Sequence, residues 1–220
     1  MSRNFFIIKM YTFHECTNPE CGLRFPLDLD LHKGKFCPRC GEIIKPVAEG
    51  QNHQLNMPRN HEIPLWGLLD NIRSGYNVGS VFRIADGAGL SQLFLCGITP
   101  NPGENDQVCK TALGSEKSVP WQYYPNAFNL VKQLKNQGYS ILALELTPSS
   151  ISLFDYEVAK IFNQPMILVV GSERAGIDPG ILALCDASLS IPMHGHKESL
   201  NVSVAFGIAA YWLSHLIGKK

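Results

Sequence analysis

The chain has 220 residues, 45% of them hydrophobic, which is enough apolar material for one or two packed domains. Its 19 Lys and Arg balance 19 Asp and Glu, so nucleic-acid binding by bulk positive charge is excluded, and any such site must be a local patch or be shared between subunits. No apolar run is long enough to span a bilayer, and the short FFII stretch near the N-terminus lacks a small-residue cleavage site, so a cytoplasmic protein without a membrane partner is expected.

In chain order, the first segment is rich in cysteine. Of seven cysteines, four fall between Cys16 and Cys40, while Cys96, Cys109 and Cys185 are isolated. An odd count with one tight cluster points to a metal rather than to a disulfide framework. Four residues separate Cys16 from Cys21, two separate Cys37 from Cys40, and fifteen lie between the pairs. Each short loop brings two thiolates to one side of a turn, within reach of one tetrahedral ion. This is zinc-ribbon spacing. Gly22 and Gly41 follow the second cysteine of each pair, where the backbone must turn tightly and amides can meet sulfur. Four cysteines leave no open coordination position, so a structural zinc is expected. About fifty residues cannot bury a self-sufficient core, and a zinc site adds folding free energy on the order of 10 kcal/mol. His14 and His32 are spare ligands that read more simply as solvated loop residues. Arg24, Lys33, Lys35 and Arg39 lie within or beside the site, and phosphate contact and an ordinary solvated face are equally good readings of them.

The ribbon segment is assigned to 1–47 and a polar, aperiodic linker to 48–60. From residue 61 onward, apolar runs alternate with helical patterns. Ile63–Leu69 reads as a buried strand. Val78–Ala88 reads as a helix stopped by Gly89. LFLCG reads as a strand, and Asn126–Asn136 as a helix with Phe128, Val131 and Leu134 on its apolar side. Strands are expected at Tyr139–Leu146, Met166–Val170 and Ala187–Ile191. A short helix is expected at Ile181–Cys185 and a long apolar one at Ser199–Ile217. Strands alternating with helices imply an α/β domain over 61–220, with a parallel sheet covered on both faces.

Three segments carry the functional signal: NVGSVFRIADGAG from Asn77, LVVGSERAGI from Leu168, and IPMHGHKESLNVSVAFGIAAY from Ile191. In this order, with KTALGSEKSVPW between them, they resemble the SpoU–TrmH branch of the SPOUT methyltransferases. The resemblance spans roughly residues 61–220 and leaves the ribbon outside it. It implies a SPOUT-type sheet with a C-terminal trefoil knot, a homodimer, and bound S-adenosylmethionine. It also implies methyl transfer to a ribose 2′-hydroxyl of RNA, with tRNA favoured over rRNA because the larger N-terminal domain common in rRNA-directed relatives is missing. Matched by motif position, Asn77, Arg83, Glu173, Ser199 and Asn201 are the catalytic candidates. Gly171, Gly176, Ile191, Met193 and Leu200 are the cofactor-binding candidates, and Cys16, Cys21, Cys37 and Cys40 the metal ligands.

The residue types suit that chemistry. In-line displacement at a sulfonium carbon needs a positioned hydroxyl and a route for its proton, and no metal. Glycines let backbone approach a bound nucleoside. Ser199 and Asn201 are expected to cap the last helix while facing substrate. A guanidinium stays protonated, so Arg83 is read as a phosphate clamp that polarises the hydroxyl, against the simpler reading of a surface arginine paired with Asp86. His194 and His196 are read as lining or gating the cofactor cleft. Trp66, Trp121 and Trp212 are read as core or interface, and Cys185 as a small buried hydrophobe. A nicotinamide-dependent oxidoreductase is disfavoured because no strand leads into GxGxxG with an acid about twenty residues on. A non-catalytic RNA-binding or ribbon-mediated interaction protein that kept the fold is the alternative.

Overall fold

The computed structural model describes residues 11–28, 34–50, 63–156 and 164–218. The chain divides into two compact units, Met1–Pro58 and Arg59–Lys220. The expected readings of the FFII stretch, His32 and Lys33 lie outside the described residues, as does most of the linker.

The first unit holds three antiparallel strands: β1 (Tyr11–Cys16), β2 (Arg24–Asp28) and β3 (Ile44–Glu49), in the order β2-β1-β3. Residues 48 and 49, expected in the linker, extend β3. Along β1 burial alternates, with His14 and Cys16 inward and Tyr11 and Phe13 outward. The inward side is small: buried Cys16, Cys37 and Ile44, with Leu23, Phe25 and Leu27 packed against them. That core is too slight to hold a fold alone.

The second unit is a seven-stranded sheet with every pairing parallel. Its strands are β4 (Ile63–Asp70), β5 (Leu90–Cys96), β6 (Trp121–Tyr124), β7 (Ser140–Leu144), β8 (Ile151–Ser152), β9 (Met166–Val170) and β10 (Ala187–Ser190), in the order β6-β5-β4-β9-β7-β10-β8. The helices are α1 (Gly75–Ala88), α2 (Asp106–Ala112), α3 (Ala127–Asn136), α4 (Pro179–Leu182) and α5 (Val202–Ile217). Strand residues serve two cores alternately. Leu65 and Leu69, with Met166, Leu168 and Val170, face the residues of α1, α2 and α5. Leu68, Ile167 and Val169 face those of α3 and α4. A sheet covered on both faces explains why its strands read as continuous apolar runs.

Local chemistry fixes the helix ends. Ser74 caps α1, its Oγ accepting from the Asn77 amide at 3.3 Å. Val78, Val81, Phe82 and Ala85 then bury one face, and Gly89 ends the helix at φ 72°, a left-handed turn that favours glycine. α5 seats over Gly67, where an added Cβ would stand 2.9 Å from Phe206 Cζ. Burying Phe206 and Leu213 completely stabilises this packing by about 1.5–3 kcal/mol each.

Several expectations are corrected. Phe128 is exposed, and α3 buries Ala127, Leu130, Val131 and Leu134 instead. α5 begins at Val202, so Ser199 and Leu200 precede the helix and lie in the loop before it. On α5, Val204 and Tyr211 are exposed. Trp66, Trp121 and Trp212 pack against the cores, as expected. Cys185 is half-buried, with its thiol pushed up to about 11 chiefly by burial. Among the described residues, no helix is long and apolar enough to cross a membrane.

Candidate functional site

A cleft of about 930 Å³ opens at the C-terminal ends of three adjacent strands, β9, β7 and β10, against the start of α5. This is where open parallel sheets bind ligands, because the strand-to-helix loops diverge there. Its walls come from 144–146 after β7, the Gly171–Gly176 loop after β9, and Ile191–Met193 after β10. Loop residues running into Asn201 and α5 complete it.

The glycines in that loop serve the loop itself. A Cβ on Gly171 would stand 2.3 Å from the Gly176 carbonyl carbon and oxygen and from the Ile177 nitrogen. Gly176 adopts φ +71°, and a Cβ there would meet Glu145 Oε2 at 2.6 Å. The Gly176 amide donates to the Ser172 carbonyl at 2.9 Å, closing a tight turn. Glycine is therefore demanded by backbone packing before any ligand is considered, a stronger reason than ligand approach alone.

At the mouth, a line of hydrogen bonds joins the three motifs. Glu173 Oε2 accepts from the Arg73 amide at 3.0 Å, and Oε1 accepts from the Ser74 amide at 3.3 Å and from Asn77 Nδ2 at 2.9 Å. Asn77 Oδ1 accepts from Asn201 Nδ2 at 3.1 Å. Asn201 Oδ1 caps α5, accepting from the Ser203 amide at 2.9 Å and from its hydroxyl at 2.7 Å. Partial burial works to raise the Glu173 carboxyl, but the donors from Arg73, its own amide, Asn77 and Ser74 outweigh it and hold the group below its ordinary value. Residues nearly a hundred positions apart are thus fixed in one constellation.

Gly171, Gly176, Ile191, Met193, Leu200, Glu173, Ser199 and Asn201 all line the cleft, and Asn77 reaches it through Glu173 and Asn201. Arg83 does not line it. It lies six residues beyond Asn77 on α1, about 9 Å along the axis and about a third of a turn off its face. It is exposed and makes no hydrogen bond or ion pair with the described residues. Asp86, its supposed partner, accepts from Ser118 Oγ at 2.9 Å. His194 and His196 are exposed and absent from the lining, which passes through Met193, Gly195 and Lys197 instead.

Sequence reasoning missed Glu145. Its Oε2 accepts from the Ile177 amide at 3.0 Å, pinning the glycine loop to the end of β7. An acid directly after an apolar strand was the available signal. Ser74 and Ser203, which hold the constellation through cap bonds, were also missed.

In the first unit, the sulfurs of Cys16, Cys21, Cys37 and Cys40 all lie within 4.8 Å of one another. Cys16 and Cys40 Sγ are 3.4 Å apart, and Cys21 and Cys37 Sγ 3.8 Å. A tetrahedron with bonds of about 2.3 Å has edges of about 3.8 Å, so the spacing fits a zinc tetrathiolate. Gly22 and Gly41 take φ +55° and +78°, and the Arg39 amide donates to Cys37 Sγ at 3.4 Å. Burial pushes the Cys16 thiol up to about 12. At Cys37 burial also works upward, but the Cys40 and Arg39 amides and the neighbouring thiols outweigh it and bring the group to about 7. His14 is buried, with Nδ1 3.1 Å from the Thr12 carbonyl, and is not among the clustered ligand atoms.

Fold and cleft together define an α/β protein with an open cleft at the C-terminal edge of a parallel sheet. The model of the SpoU rRNA Methylase family matches residues 65–211, and the chain belongs to that family. A tRNA (guanosine(18)-2′-O)-methyltransferase from Aquifex aeolicus is 32% identical over 145 residues, 66% of this chain and 65% of that one. The 23S rRNA (guanosine-2′-O-)-methyltransferase RlmB of Burkholderia sp is 33% identical over 151 residues, 67% of this chain and 58% of that one. The match thus spans less than two thirds of either relative. The crystal structure of the A. aeolicus TrmH/SpoU tRNA modifying enzyme superposes with a TM-score of 0.63 at 28% identity, covering 71% of this chain and 77% of that one.

Proposed function

We propose that this protein transfers a methyl group from S-adenosylmethionine to a ribose 2′-hydroxyl of RNA. The hydrogen-bonded line Glu173–Asn77–Asn201 carries the proposal, because it ties three distant motifs to the mouth of one glycine-edged cleft. The names of both relatives specify 2′-O-methyl transfer to guanosine, one in tRNA and one in 23S rRNA. We take tRNA as the substrate, on the likeness to the Aquifex protein by sequence and by structure.

In this reading Gly171, Gly176, Ile191, Met193 and Leu200 hold the cofactor, which when bound supplies the electrophilic methyl carbon. Asn77 and Asn201, locked by Glu173 and by the α5 cap, orient the ribose so that its hydroxyl lies in line with that carbon. Ser199, in the loop at the cleft wall, faces the hydroxyl. Arg83 clamps an RNA phosphate from outside the cleft, and its exposed guanidinium, without a hydrogen bond or ion pair among the described residues, supports that role. The hydroxyl proton leaves to a phosphate oxygen or to water, since neither Arg83 nor the hydrogen-bonded Glu173 is placed to take it. Membership of the SpoU family supports a knotted C-terminus. The exposed Val204 and Tyr211 on α5 support a homodimer across that helix. The cysteine cluster holds one structural zinc.

Incubation with S-adenosylmethionine carrying a labelled methyl group, and with tRNA or 23S rRNA transcripts, tests the reading. Label in tRNA is expected. Cofactor binding without label in either RNA would leave a binding protein and overturn the enzyme assignment.

A further inference from the structure

We infer that the outward face of the β2-β1-β3 sheet is a stacking platform for unpaired bases of the RNA substrate, with phosphates held by Arg24 and Lys45. The inference rests on the proposed RNA methylation and deepens it by assigning a second RNA contact, outside the cleft.

Strand alternation builds the face. His14 and Cys16 point inward, so Tyr11, Phe13 and Glu15 share the outward side of the central strand β1. Tyr11 is 43% exposed and Phe13 37%, although both lie on a strand paired on both sides. Their Cβ atoms are two residues apart, about 6.7 Å along the strand. Phe13 is flanked by Pro26 on β2 and Ala48 on β3, neither tall enough to cover its ring. The next outward row is Arg24, Glu15 and Lys45, in register across the three strands.

That composition selects the partner. Exposed aromatic rings with cations beside them match the two parts of a single-stranded nucleic acid: bases that stack and phosphates that need positive charge. An apolar protein partner would call for continuous aliphatic surface, and here a row of three charged residues borders the rings. Two acids stand against RNA: Asp28, opposite Tyr11 on β2, is buried, and Glu15 can be weighed from its geometry. Its contact with Arg24 is 3.9 Å long, with side chains 54% and 36% exposed, so it is weak and leaves Arg24 available to a phosphate. The zero net charge of the chain fits a local contact of this kind, with stacking supplying much of the affinity.

The full-length protein is tested for binding to a fluorescent, unstructured RNA oligonucleotide and to an RNA duplex, with methyl transfer to tRNA measured alongside. The platform predicts that Phe13→Ala and Tyr11→Ala each weaken oligonucleotide binding by on the order of tenfold, while duplex binding changes little. Phe13→Trp and Tyr11→Phe should retain binding, which separates a lost ring from a disturbed strand. Glu15→Gln should tighten oligonucleotide binding a few-fold, because it removes the only negative charge of the row. Wild-type methyl transfer together with unchanged oligonucleotide binding by both alanine variants would overturn the platform and leave the enzyme reading intact. A change in sedimentation of these variants without a change in RNA affinity would overturn it in favour of a protein contact. Failure of the wild-type protein both to bind RNA and to methylate it would overturn the function as well.

Discussion

Replacing Gly171 by alanine places a Cβ 2.3 Å from two backbone atoms of Gly176 and one of Ile177. Carbon contacts need about 3.5 Å, so the facing backbone must move by about 1.2 Å. Overpacking of that kind costs about 1–3 kcal/mol. The same movement pulls the Ile177 amide from Glu145 Oε2, a charge-assisted bond of about 1.5–3 kcal/mol. A total of about 2.5–6 kcal/mol is expected, at least about 60-fold in an equilibrium constant. If the loop opens while the sheet holds, the cost appears as lost cofactor affinity in calorimetry; if the loop holds, it appears as a lower denaturant midpoint at unchanged slope. Gly195→Ala is the stability control, since a Cβ there meets nothing within 4 Å, and it should shift stability by less than about 0.5 kcal/mol. Wild-type midpoint and wild-type cofactor affinity in Gly171→Ala would refute the claim that backbone packing demands this glycine.

Arg83→Ala should reduce methyl transfer by about a hundredfold or more with cofactor affinity within about twofold, and Arg83→Lys should fail similarly, because a point ammonium cannot replace the fork; near-normal turnover would remove Arg83 from the reaction. Glu173→Gln should lower stability at neutral pH. Because the folded Glu173 carboxyl is held below its ordinary value, its contribution is present above the ordinary glutamate range and lost as pH falls through its folded value, so wild-type and Glu173→Gln melting curves should converge on acidification below about pH 4. Elemental analysis should find about one zinc per chain, and Cys37→Ser should lose it and disorder the first unit while circular dichroism of the second persists; a metal-free, ordered first unit would contradict the ligand set.

Much of the second unit was legible because its signals are local. Met166–Val170 is five apolar residues running into a glycine, and it is β9 to the residue. Gly89 stops α1 through its own left-handed backbone. Less was legible where tertiary context decides. α2 has only Val108 and Ala112 to bury, too few to show a period. β6 at the sheet edge is half-exposed, and β8 is two residues long. The ribbon strands were masked by Pro26 and Pro46 and by cysteines whose spacing obeys a metal rather than a strand. Ser199 was drawn into α5 because no break interrupts SLNVSVAF; the break is Asn201 turning its side chain back as a cap. The Glu173 bonds to the Arg73 and Ser74 amides could not be read at all, since backbone donors leave no residue type in the sequence.

The most direct measurement is where the methyl group lands. RNA methylated by the full-length protein is digested to nucleosides and analysed by mass spectrometry, with Asn77→Ala run in parallel to break the line between Glu173 and Asn201. A ribose-methylated nucleoside from the wild-type reaction, reduced by about a hundredfold or more in the variant, is the predicted result. Methyl found on a base, or wild-type levels of ribose methylation without Asn77, would contradict the account.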